Sequence, residues 1–229
     1  MYQEDMEIVR QNILFKELER EAADEVFGKA EGYEKDFSKS QILFQEGDLV
    51  KQIGILIKGE VRVCRLEFDG GEKLIQKLRV PYLVGADVVC TPRQVSPYTA
   101  YVSEESRIWY FPYENLKNPG KLPEEARRHM KERLLEFIAN ENIRKLYQVD
   151  MLSAAGAREK ILKYLMIQCH KAGSRQIEIP YNREELASFL CMNRTVLSHT
   201  LSKMEKEGMI SFKKNRFLVK GFLTGDQEN

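Results

Sequence analysis

Five residues near the C-terminal end, Arg194, Thr195, Ser198, His199 and Ser202, have the types and spacing for recognition chemistry. They fall along the outward side of one helix, where hydroxyls and N–H donors can reach base edges in a DNA major groove. Arg suits the paired acceptors of guanine, Ser and Thr are more tolerant, and His can donate through either ring nitrogen. A few residues on, Lys213-Lys-Asn-Arg216 makes a basic tip. Lys213, Lys214 and Arg216 suit phosphate contacts, which supply affinity and salt dependence without base identity.

These groups need a scaffold, and the pattern around them predicts one. Arg183–Leu190 and Arg194–Lys206 read as helices joined by Cys191-Met192-Asn193. Leu186, Ala187 and Leu190 form one inward face and Leu197, Leu201 and Met204 the other, with Ala187 small where the helices approach. Gly208–Val219 reads as two strands around the basic tip, a wing beside a helix-turn-helix. Upstream, Arg158–Lys171 reads as a helix ended by Gly173, followed by a strand at Gln176–Ile179. The same segment also fits a plain solvated helix pair and hairpin, because short motifs are unspecific.

From Pro123 to Leu152 the pattern stays helical, a rod of about 40 Å. Met130, Leu134, Leu135, Ile138, Ile143, Leu146 and Val149 form its apolar stripe, with Asn140 and Asn142 among them. Such a helix is expected to pair with a second copy, making the chain a homodimer. Ser153–Gly156 breaks the pattern with small residues and is the expected hinge.

The N-terminal part has a different period. Tyr2–Lys29 reads as short amphipathic helices, and from Ser40 apolar residues alternate: Gln41–Gln45, then Ile53, Ile55 and Ile57, then Val61 and Val63 on to Phe68. Asp69-Gly70-Gly71 is a hairpin signal, and Lys73–Leu78, Tyr98–Ser103 and Arg107–Phe111 are further strands. So many short strands imply an antiparallel sandwich or small barrel. The fold class is α+β, with expected divisions at residues 1–122, 123–152 and 153–229.

Composition sets outer limits. Hydrophobic residues at 43% and charged residues at 31% suit an ordinary globular protein, with no membrane span or signal peptide expected, hence a cytoplasmic location. The net charge is +1, but from Leu152 onward the chain carries 13 Lys/Arg against 8 Asp/Glu. A mildly basic C-terminal part suits a nucleic-acid module. Cys64, Cys90, Cys169 and Cys191 are scattered without metal-site spacing and read as buried or idle thiols. Ser40–Phe111 contains no histidine, which argues against a metal-dependent barrel enzyme; no metal or cofactor is expected.

Leu43-Phe-Gln-Glu-Gly-Asp48, Ile55-Leu-Ile-Lys-Gly-Glu-Val61 with Asp69-Gly70, Arg183-Glu-Glu-Leu-Ala187, and Arg194 through Leu201 followed by Gly208-Met-Ile210 occur in an order that resembles the Crp/Fnr family of bacterial transcription regulators. The resemblance spans nearly the whole chain. It implies a cyclic-nucleotide-binding-like barrel of the double-stranded β-helix type, a long dimerisation helix and a C-terminal winged helix-turn-helix. It also implies double-stranded DNA with a roughly palindromic operator, RNA polymerase and a small-molecule effector as partners.

The family's Arg-Glu-Thr-Val-Ser-Arg is here Arg194-Thr-Val-Leu-Ser-His199, and Cys191 replaces the glycine usual in the turn. A different half-site is therefore expected. Where cyclic-nucleotide binders carry Gly-Glu and Arg-Ser/Thr-Ala, this chain has Gly85-Ala-Asp87 and Pro97-Tyr-Thr-Ala100, so cyclic AMP is not the expected effector. No cysteine precedes Cys64, which excludes an N-terminal iron–sulfur cluster, and no histidine in the barrel offers a haem ligand. Tyr82, Asp87, Tyr98, Thr99, Met130 and Leu134 are the candidate effector residues, each of which could equally be barrel filling. The alternative function is a ligand-sensing or protein-interaction module that has kept the fold without binding DNA.

Overall fold

A computed structural model of the 229-residue chain describes residues 3–67 and 70–220. Tyr2, Phe68 and Asp69, which figure in the expected N-terminal helices, strand and hairpin, lie outside the described residues. The chain divides into two compact units, with the boundary in the sequence between Ile143 and Arg144.

The first unit opens with α1 (Gln3–Arg10), a single 3-10 turn (Ile13–Phe15) and α2 (Arg20–Lys29). Strands β1 (Tyr33–Phe37), β2 (Ile42–Phe44), β3 (Gln52–Lys58), β4 (Glu60–Leu66), β5 (Glu72–Arg79) and β6 (Leu83–Val84) follow. After α3 (Ala86–Val89) come β7 (Thr99–Val102), β8 (Ser106–Pro112) and α4 (Glu114–Lys117). The strands form two antiparallel sheets, ordered β1-β8-β3-β6 and β2-β7-β4-β5. Between them lie Leu56, Val61, Val63, Leu78, Ala100, Val102 and Ile108, the inward positions of the period-two pattern. Ile53, Ile55 and Ile57, on the other face of β3, belong to a second core shared with the helices, so Ile53 to Ile57 is buried throughout. A strand covered on both faces reads as a continuous apolar run.

Gly59, in the motif Lys58-Gly-Glu60, joins β3 to β4 with φ of +87°. A Cβ there would lie 2.1 Å from Ser106 Oγ and 2.6 Å from the Glu105 carbonyl oxygen, so neither the torsion nor the space admits a side chain. The β1 strand, absent from the expected elements, is mostly polar: Tyr33-Glu-Lys-Asp-Phe37 pairs with β8 at the edge of its sheet. An edge strand facing solvent has no need of apolar alternation, and charged residues guard it against further pairing.

The long helix is α5 (Glu124–Leu152), and its first turn is closed by the Arg127 N–H donating to the Pro123 carbonyl at 2.8 Å. Its expected apolar stripe is two faces, which corrects the single seam. Met130, Leu134 and Phe137 are buried in the core with Ile53, Val88 and Trp109. Leu135, Ile143, Leu146 and Val149 are 71, 50, 64 and 64% exposed.

The second unit contains α6 (Ala157–Ala172), β9 (Gln176–Glu178), α7 (Arg183–Phe189), α8 (Arg194–Lys206), β10 (Ile210–Lys213) and β11 (Arg216–Val219). Gly173 ends α6 in the left-handed region at φ of +59°. The strands make one antiparallel sheet ordered β10-β11-β9. Leu186, Ala187, Leu190, Leu197, Leu201 and Met204 are all buried, as the two inward faces require.

Candidate nucleic-acid interface

The turn between α7 and α8 is held by backbone bonds that recur at helix ends. Cys191 N–H donates to the Ser188 carbonyl at 3.1 Å and Met192 N–H to the Ala187 carbonyl at 3.0 Å. This Schellman arrangement needs a left-handed residue after the helix, and Cys191 supplies it at φ of +52°. The glycine usual at this place is thus replaced while its conformation is kept. Asn182 caps α7, accepting from the N–H groups of Glu184 and Glu185, while Glu185 returns a bond to the Asn182 N–H. Asn193 caps α8 by accepting from the Thr195 N–H at 2.7 Å.

With Leu197, Leu201 and Met204 fixed inward, Arg194, Thr195, Ser198, His199 and Ser202 are all exposed. Val196, 47% exposed, flanks them and went unnoticed in the sequence because an apolar residue there reads as core. An outward valine offers an apolar contact of the kind a thymine methyl accepts. The wing forms with Lys213 paired to Arg216 across the hairpin and Lys214 in its turn. Lys213 and Lys214 are exposed and make no ion pair among the described residues. Arg216 differs: its Nε donates to Glu178 at 3.1 Å, so it is held to β9 rather than presented as a free cation.

In the first unit the six effector candidates divide. The Tyr98 hydroxyl donates to Asp87 at 2.6 Å, and burial, reinforced by the Asp87 charge, pushes its pKa up. The Tyr82 hydroxyl donates to Glu141 of α5 and accepts from the Gln76 side chain at 2.7 Å. Its ring meets Phe137 of α5 edge-on, with centroids 5.4 Å apart. Met130 and Leu134 are buried in the adjoining core. Thr99 does not join them: it alternates with buried Ala100 and Val102, and its hydroxyl accepts from the Glu46 N–H.

The four cysteines are free, with Cys64 buried, Cys169 half-buried and Cys90 and Cys191 exposed. Burial, with Glu72 adding to it, pushes the Cys64 thiol up to about 12.

Two family models match the chain: the cyclic nucleotide-binding domain over residues 34–118 and the Crp-like helix-turn-helix domain over residues 159–221. Regulatory protein HlyX of Actinobacillus pleuropneumoniae is 26% identical over 184 residues, spanning 77% of this chain and 73% of that protein. The c-di-GMP responsive global regulator CLP of Xanthomonas campestris has the same fold at a TM-score of 0.67 and 15% identity, covering 85% of this chain and 97% of that one. CprK complexed with OCPA superposes at a TM-score of 0.66 with 18% identity, over 86% and 91% of the two chains. An antiparallel cyclic nucleotide-binding-type barrel, a long helix and a C-terminal helix-turn-helix define a DNA-binding transcription regulator. The chain is a Crp/Fnr-like regulator, the class to which its bacterial relatives belong.

Proposed function

We propose that the chain is a homodimeric, sequence-specific regulator whose barrel binds a small-molecule effector and thereby alters operator binding. The observation that carries this reading is the exposed face of α8, where five hydrogen-bonding residues stand over a capped and fully buried inner face. In this reading Arg194, Thr195, Ser198, His199 and Ser202 address base edges, while Lys213 and Lys214 address phosphates.

Pairing is supported by α5. Leu135, Ala139, Asn142, Leu146 and Val149 are exposed and follow the alternating four- and three-residue spacing of a coiled-coil seam. A polar residue within such a seam specifies register. Two copies so joined present two recognition helices to half-sites about 34 Å apart on a roughly palindromic operator. Residues 1–122 then act as the sensor, 123–152 as the dimerisation helix and 153–229 as the DNA-binding part, with Ser153–Gly156 as hinge. A regulator of this kind works in the cytoplasm beside RNA polymerase.

In this reading the effector binds around Tyr82, Asp87 and Tyr98, next to α5. Asp87 is a carboxylate where cyclic AMP binders hold a phosphate, and no arginine stands in Pro97–Ala100, so in this reading cyclic AMP is not the effector. CLP is described as c-di-GMP responsive and CprK as complexed with OCPA, so this fold does not by itself fix effector chemistry. The Tyr82 bonds to Glu141 and Gln76 give a ligand a way to act on α5: it shifts the helix by its differential affinity for the two arrangements.

Selection of duplexes from a randomised pool by the purified protein tests the reading. A two-fold-symmetric motif whose affinity falls steeply with salt is the expected result. Indifference to duplex DNA, with and without small-molecule pools, would instead favour a protein-interaction module.

A further inference from the structure

Arg183, the first residue of α7, is half-buried, and its guanidinium meets no carboxylate and no carbonyl among the described residues. Burial lowers its pKa. What it does meet is aromatic. Its Cζ lies 4.7 Å from the ring centre of Phe212 on β10 and 5.1 Å from that of Phe217 on β11. The two phenylalanines are directly opposed across the wing hairpin, their rings 5.6 Å apart and tilted by 31°. A planar guanidinium can lie along two ring faces at once, gaining from both quadrupoles, whereas an ammonium is a point charge that holds no such plane. A second fastening lies nearby, where the Phe212 N–H donates to Glu205 of α8 at 3.3 Å. Lys213 and Lys214 follow Phe212 directly in the chain.

We propose that Arg183 is a positioning residue: laid across Phe212 and Phe217, it clamps the wing hairpin to the first helix of the helix-turn-helix and so sets where Lys213 and Lys214 meet phosphates. The DNA consequence rests on the operator-binding reading; the clamp does not. Wing and recognition helix then act as one rigid reader, with the spacing between phosphate and base contacts built into the fold.

Two variants of the full chain, Arg183→Lys and Phe212→Leu, test it in two measurements. In the free protein, amide hydrogen exchange in β10 and β11 should accelerate about tenfold in both, with exchange in α8 unchanged. On the duplex that the wild-type protein selects, both variants should lose phosphate protection from the wing and about two units of salt slope while keeping the same preferred bases. Arg183→Lys preserves the charge, so wild-type exchange and wing protection in that variant would mean a simple phosphate contact and would overturn the clamp. An unaltered wing in Phe212→Leu would overturn it as well. Should no duplex be selected, the operator reading fails, and the exchange measurement alone decides the clamp.

Discussion

Arg194 is exposed at the start of a capped helix, which makes its contribution separable from folding. Arg194→Ala should cost about 1–3 kcal/mol of operator affinity and relax selection at one base position, read from binding to the selected duplex and its single-base variants. Lys213→Ala should weaken binding to all sequences alike and reduce the salt slope by about 1. Cys191 makes the opposite case, since the left-handed torsion at this turn suits glycine better than any side chain. Cys191→Gly should stabilise the second unit by about 1 kcal/mol, seen as a higher denaturant midpoint. The replacement of glycine by Cys191 is legible in the sequence. That the backbone keeps the left-handed shape regardless is not, because the Schellman bonds to Ala187 and Ser188 impose it.

At the scale of elements, the connection between β3 and β4 has little tolerance for a side chain. Gly59→Ala should destabilise the barrel by about 2–4 kcal/mol, because both the torsion and the clash with Ser106 and the Glu105 carbonyl must be accommodated. Beside it, Glu60 pairs with Lys77 at 3.0 Å and binds the Ser103 hydroxyl at 2.7 Å. Burial raises the Glu60 pKa, but Ser103, Lys77 and Arg79 together outweigh it and hold the carboxyl below its ordinary value. The resulting stabilisation is complete above the ordinary carboxylate range and is lost as pH falls through the depressed value. Glu60→Gln should therefore lower stability near neutrality and flatten its fall in acid, measured by denaturant midpoints across pH. On α5 the two faces call for different tests. Met130→Glu puts a charge into the core and should unfold the first unit, whereas Leu146→Glu alters an exposed position and should shift sedimentation from dimer to monomer with the fold intact.

For the molecule as a whole, the proposed dimer on a palindromic operator would multiply the effects at α8 and α5, since a monomer offers one recognition helix to a site with two halves. Leu146→Glu should accordingly weaken operator binding far more than it weakens binding to a single half-site, a contrast measurable on the two duplexes. Effector control belongs to the same scale. A compound that competes with Glu141 for the Tyr82 hydroxyl should change operator affinity, and Tyr82→Phe should blunt that response while leaving effector-free binding near its wild-type strength.

The succession of short strands, long helix and helix-turn-helix, the inner faces of α7 and α8 and the exposed outer face of α8 were readable from residue types, because local spacing alone decides which side of a helix or strand is apolar, whereas the polar edge strand β1 carried no such pattern. Long-range packing decided the rest. The α5 stripe divides between core and solvent because Met130, Leu134 and Phe137 meet the barrel core whereas Leu135 does not. Thr99 parts from Tyr98 by strand alternation, Arg216 is taken up by Glu178, and Arg183 finds two rings some thirty residues away on the wing. Each of these depends on which distant residue lies opposite, and spacing along a chain carries no information about partners brought together by folding.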